Sequence, residues 1–86
     1  MHFVKKVKYI SGYKLQLTFE DGSVKFVDLE PHLDGEIFAP LKNIEYFKRV
    51  QVNQDIDTIV WENGADLSPD FLYEIAEQAH EISEGE

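Results

Sequence analysis

The sequence predicts an α+β fold, and two observations carry that prediction. Residues Tyr13 to Glu20 alternate apolar and polar side chains and run into Asp21-Gly22, the pattern of a half-buried hairpin. Ser68-Pro69 opens a stretch in which Leu72, Ile75, Ala76, Ala79 and Ile82 fall on one helical stripe. The expected architecture is a five-stranded, mainly antiparallel sheet in β-β-β-(short helix)-β-β-α order, with the C-terminal helix packed on one face. The 86 residues allow one small domain, residues 1–86, with residues 83–86 expected to form a frayed tail.

Phe3 to Ile10 reads as the first strand, with Val7 and Tyr9 on one face and Lys6 and Lys8 on the other. A three-residue connection over Ser11 to Tyr13 sets Tyr9 opposite Leu15 and Val7 opposite Leu17, which keeps the apolar sets together. Gly12 is expected there in the left-handed conformation. For the next hairpin, a two-residue turn at Asp21-Gly22 sets Phe19 opposite Val24 and Leu17 opposite Phe26. The third strand ends near Leu29, and Glu30 to Gly35 forms a turn-rich connector. Phe38, Leu41, Ile44 and Phe47 recur at helical spacing. Pro40 breaks that stretch into short turns, near Ile37–Leu41 and over Asn43–Phe47. Val50 and Val52 mark a short fourth strand, Asn53 to Asp57 a polar turn, and Thr58 to Trp61 a fifth strand. Ser68 is a good N-cap, and Pro69 costs nothing at the first helical position. Leu67 and Leu72 can close a hydrophobic staple over a helix from about Pro69 to about Ile82.

Charge is uneven along the chain. The net charge is −9, yet residues 1–25 are net +3, and from Gln51 onward ten acids face no Lys or Arg. Acid is thus expected on the last hairpin and the outer side of the last helix, a surface that favours a basic partner at the C-terminal end. With no cysteine, disulfide frameworks, thiolate nucleophiles and Cys-ligated zinc drop out. No apolar run suits a bilayer span, and the N-terminus lacks a signal peptide's apolar stretch. A cytoplasmic protein without membrane contact is expected.

Catalytic and metal chemistry find no support in the residue pattern. The four serines sit in turn, cap or tail positions, the glycines are isolated, and no G-x-S-x-G elbow occurs. The alternation Asp28, Glu30, His32, Asp34 fails the EF-hand template, with Leu33 where Gly is needed and Ala39 where Glu is needed. His80 among Glu77, Glu81 and Glu84 has no second His at i+4, and His2 carries no signal. No enzyme, cofactor or metal site is therefore expected. Lys6, Lys8, Lys14 and Lys25 could share the outer face of the strand meander. Tyr9, Phe19 and Phe26 are assigned to its core face, so no aromatic is left for base stacking, and direct nucleic-acid binding is not expected. The densest cluster of special residues runs from Trp61 to Tyr73. There Trp61, Asn63, Asp66 and Tyr73 are the candidate contacts for a partner or ligand, against a plain strand-to-helix corner with core aromatics.

That segment, W-x-N-G-A-D-L-S-P-D-x-L-Y from Trp61 to Tyr73, resembles the end motif of a bacterial family known as domain of unknown function 2442. Gly12, the Leu15-x-Leu17-x-Phe19-x-Asp21-Gly22 run, Asp28, Gly35, Phe38, Leu41, Phe47 and Val50 to Asn53 fit the same layout, so the resemblance spans residues 3 to about 80. Glu62 departs from it, since Pro is common at that place. The resemblance implies a small α+β domain of bacterial cytosolic proteins and supplies no catalytic residues. Some members carry an added helix-turn-helix domain, which is not expected within these 86 residues. Members often neighbour another small gene in an arrangement that suggests a toxin–antitoxin-like pair. The expected function is a protein–protein interaction module, the acidic partner of a basic protein. The alternative is a small-molecule-sensing domain with a pocket near Trp61–Tyr73. The chain's size also leaves room for a homo-oligomer.

Overall fold

The computed structural model describes residues 2–84, with side chains described through Ala76. Strand β1 (Val4–Ser11) pairs antiparallel with β2 (Lys14–Phe19), which pairs antiparallel with β3 (Val24–Asp28). After two 3₁₀ turns, Glu30–His32 and Ala39–Lys42, the chain forms α1 (Ile44–Phe47), the hairpin β4 (Gln51–Asn53) and β5 (Thr58–Val60), and α2 (Pro69–Glu84). No helix among the described residues is long and apolar enough to cross a membrane.

The five strands form two antiparallel sheets, of three and two strands, and not the single five-stranded sheet expected. The β4–β5 hairpin does come up beside β1, where the Val4 N–H donates to the Asp57 carbonyl at 2.9 Å. The ladder stops there for two reasons. The β1 register shifts between Val4 and Lys6, so the edge is irregular where β4 and β5 approach. Strands of three residues also offer few further groups to pair. What joins the sheets is a shared core. Phe47 of α1 is fully buried and meets Tyr9 and Tyr13 edge-on, with ring centroids 6.2 and 5.3 Å away, and Trp61 at 5.7 Å.

The first hairpin has the expected register, Val7 opposite Leu17 and Tyr9 opposite Leu15, with an irregularity before Ser11 and Gly12 at φ +52°. The second hairpin is one residue out. Leu17 faces Lys25 and Leu15 faces Val27, where a two-residue turn would place Phe26 opposite Leu17. The turn accommodates this register. The Gly22 N–H donates to the Phe19 carbonyl and the Phe19 N–H to the Ser23 carbonyl, which closes a three-residue loop, Glu20 to Gly22. Only Gly22 in it has positive φ, at +88°, whereas a two-residue type I′ turn needs positive φ at Asp21 as well. The Asp21 carboxylate fixes this geometry by accepting from the Ser23 N–H at 2.9 Å and the Ser23 hydroxyl at 2.6 Å. Because side chains alternate along a strand, the one-residue slip turns β3 over. Val27 is buried, while Val24 and Phe26 point away from the core.

The core face of the meander carries Val4, Leu15, Leu17, Phe19 and Val27. The connector covers it with Leu29, Leu33, Leu41 and Phe47, and α2 with Leu72 and Ala76. Ser68 caps α2, its hydroxyl accepting from the Phe71 N–H at 3.4 Å, and Leu67 packs beside the core as the staple requires. The expected stripe positions Ala79 and Ile82, the acids around His80 and the tail lie outside the described side chains.

Candidate functional site

The Trp61–Tyr73 corner is built largely by its own backbone needs. Trp61 is 2% exposed, and its indole Nε1–H donates to the Phe47 carbonyl at 3.0 Å. Asn63 is exposed and shapes the turn. Its carboxamide oxygen accepts from the Ala65 N–H at 3.1 Å, and its Nδ2 donates to the Ile37 carbonyl at 2.8 Å. Asp66 is exposed and bridges antiparallel to Val60. Tyr73 is half-buried on α2, edge-on to Phe19 at 4.9 Å and stacked on His2 at 3.7 Å. The two aromatic candidates thus have different neighbours: Trp61 packs on Phe47, Tyr73 on Phe19 and His2. Buried Thr58 ties the corner to the sheet by donating its hydroxyl to the Leu67 carbonyl at 2.6 Å.

His2, which carried no signal in the sequence, clips the first strand to the start of α2. Its backbone N–H donates to Asp70 Oδ1 at 2.9 Å, and its ring Nδ1 lies 3.4 Å from the same oxygen. Only the fold brings residues this far apart in sequence together. Along the connector, the Asp28 carboxylate accepts from the Glu30 N–H at 3.0 Å, and His32 meets Phe71 edge-on at 5.3 Å. Among the described residues no group of three His, Asp or Glu is placed to hold a metal ion. A cleft of about 330 Å³ opens between Tyr13, Glu30, Leu33 and Lys42, with the Tyr13 hydroxyl donating to the Lys42 carbonyl across it. None of its lining residues comes from the Trp61–Tyr73 corner.

The outer face of the meander is a different kind of surface. The pairings set its side chains in three cross-strand rows: Lys6–Thr18–Val24, Lys8–Gln16–Phe26 and Ser11–Lys14–Asp28. Ile10 lies exposed beside the last row. Phe26 is 50% exposed, Val24 51% and Ile10 41%, and no described element packs over them. Lys6, Lys8 and Lys14 are exposed, and none of the ion pairs among the described residues involves them. Lys25, expected on this face, is on the other. It is half-buried beside α2 with its ammonium 5.0 Å over the Tyr73 ring. The face therefore exchanges one expected lysine for one unexpected aromatic ring. The register error hid Phe26 from the sequence reading. Val27 and Leu29, in the same phase as Lys25, were the signal for the other choice.

Comparison with known proteins places this geometry in context. The structure is similar to the crystal structure of a protein from Nitrosomonas europaea described as a "Putative DNA Binding Protein". The TM-score is 0.80 and the identity 27%, over 93% of this chain and 52% of that one. The chain thus spans about half the length of that protein. No curated protein matches it. The expectation that set nucleic acid aside is corrected here. The solved neighbour's description stands against it, and its premise fails because Phe26 faces outward instead of into the core. The family model of the proteins of unknown function DUF2442 matches residues 4–78, and the chain belongs to that family.

Proposed function

We propose that the domain is a non-catalytic interaction module that docks an anionic partner through the outer face of the β1–β3 meander. One observation carries this reading: Ile10, Val24 and Phe26 stand exposed on a single sheet face together with Lys6, Lys8 and Lys14. Scattered exposed apolar residues are ordinary, but a group of them beside three exposed lysines on one sheet face is how a binding patch is composed. The sign of the partner follows from the rest of the chain. With a net charge of −9, the molecule attracts anions only where its lysines gather. The description of the Nitrosomonas europaea protein supports the same sign of partner, for a chain about twice as long.

Capture from a bacterial extract that retains both proteins and nucleic acids tests the reading. Material held by the wild-type chain should be lost with Phe26→Ser and with Lys8→Gln, while circular dichroism shows both variants folded. Equal capture by the wild type and both variants would sink it.

A further inference from the structure

Resting on that reading of the outer face, we infer that the partner is a single-stranded nucleic acid, with a base stacked on Phe26 and the backbone held by Lys6, Lys8 and Lys14. The three rows of the face give the geometry. Neighbouring strands lie about 4.8 Å apart, so Lys8 stands about 10 Å across the sheet from Phe26, with Gln16 between them. A ring, a carboxamide and an ammonium in one row suit successive parts of a nucleotide: the flat base, its sugar-side edge and the phosphate. Lys6 and Lys14 lie in the rows on either side and extend the cationic track along the strands. Base stacking on sheet aromatics is how a flat β surface holds unpaired nucleotides.

Other occupants fit less well. In a duplex the base faces are stacked on each other, which leaves the lysines employed and the Phe26 ring without a partner. A second copy of the chain, docked face to face, would set lysines against lysines on a self-complementary patch. Beyond β3 the chain repels phosphate, since residues 29–86 carry 3 basic and 14 acidic side chains. A strand held here is therefore held at this face.

The test is fluorescence anisotropy of the full chain with labelled oligodeoxythymidylate and oligouridylate of about 15 nucleotides, and with a blunt duplex of the same length, titrated from about 50 to about 200 mM salt. Single strands should bind more tightly than the duplex, with log K falling against log salt at a slope of about −2 for three phosphate contacts. Phe26→Leu should weaken single-strand binding about tenfold and leave the slope in place. Lys8→Gln should reduce the slope by about 0.7. The two oligonucleotides distinguish DNA from RNA as the source of the strand. Duplex binding as tight as single-strand binding, or full affinity in Phe26→Leu, would overturn the inference. No binding of either strand at low salt would overturn it too. If capture from extract still depends on Phe26 in those cases, the docking face stands and only the identity of the partner falls. If the variants capture as the wild type does, the face itself is wrong. Dimers in sedimentation that Phe26→Ser abolishes would assign the face to a second copy.

Discussion

At Trp61 a large ring and a polar handle are both used by the core. The indole N–H donates to the Phe47 carbonyl in a site 2% exposed, where neither group can turn to water. Trp61→Phe keeps much of the packing but removes the donor, and the expected loss is about 1–3 kcal/mol in urea denaturation. Asp21 is the opposite kind of residue, fully exposed yet decisive for the turn. The hydrogen bonds from the Ser23 hydroxyl and backbone N–H hold its carboxyl below the usual 3.8. A group whose folded pKa is lowered adds stability above its unfolded pKa and loses that contribution as pH falls through the folded value. Wild type should therefore melt above Asp21→Ala at neutral pH. The gap should narrow as pH drops from about 3.8 downward. A gap that does not change with pH would show that the charged form of Asp21 is not what holds the loop.

Among the elements, α2 was legible from its first turn and the second hairpin was not. Ser68, Pro69 and the Leu67–Leu72 pair are local signals, read by the backbone within one turn of the helix that they start. Ser68→Ala should lower stability by about 1 kcal/mol in thermal melts. A loss near zero would mean that tertiary packing alone fixes the helix start. The Asp21-Gly22 pair is also a local signal, but two turn types accept it, and they differ by one residue of register. Apolar alternation did not decide between them. Val24 and Phe26 favour one phase, Val27 and Leu29 the other. The fold takes the second phase because Val27 and Leu29 continue into the buried connector, while Lys25 lays its stem beside Tyr73. The first hairpin offered no such choice, since Val7 and Tyr9 fit Leu17 and Leu15 in one register only.

Over the whole molecule, two small sheets depend on one core. Phe47 touches aromatic rings of the first hairpin on one side and Trp61 beyond β5 on the other, so neither sheet buries its apolar face alone. Leu17→Ala in β2 and Ile59→Ala in β5 remove fully buried side chains, and each should cost about 2–5 kcal/mol. Both variants should unfold in one cooperative transition, coincident by Trp fluorescence and far-UV circular dichroism. Separate transitions in either variant would show two independent units. The sequence by itself determined the strand meander, the order of elements, the capped helix and the local +3 of the first 25 residues, because alternation, turn chemistry and capping act within a few residues. It also placed the chain by resemblance in the family that residues 4–78 match. Tertiary structure alone decided the split into two sheets, the burial of Trp61 and the side on which Phe26 emerges. Each of these depends on contacts between segments far apart in the chain, and local patterns accept more than one answer there.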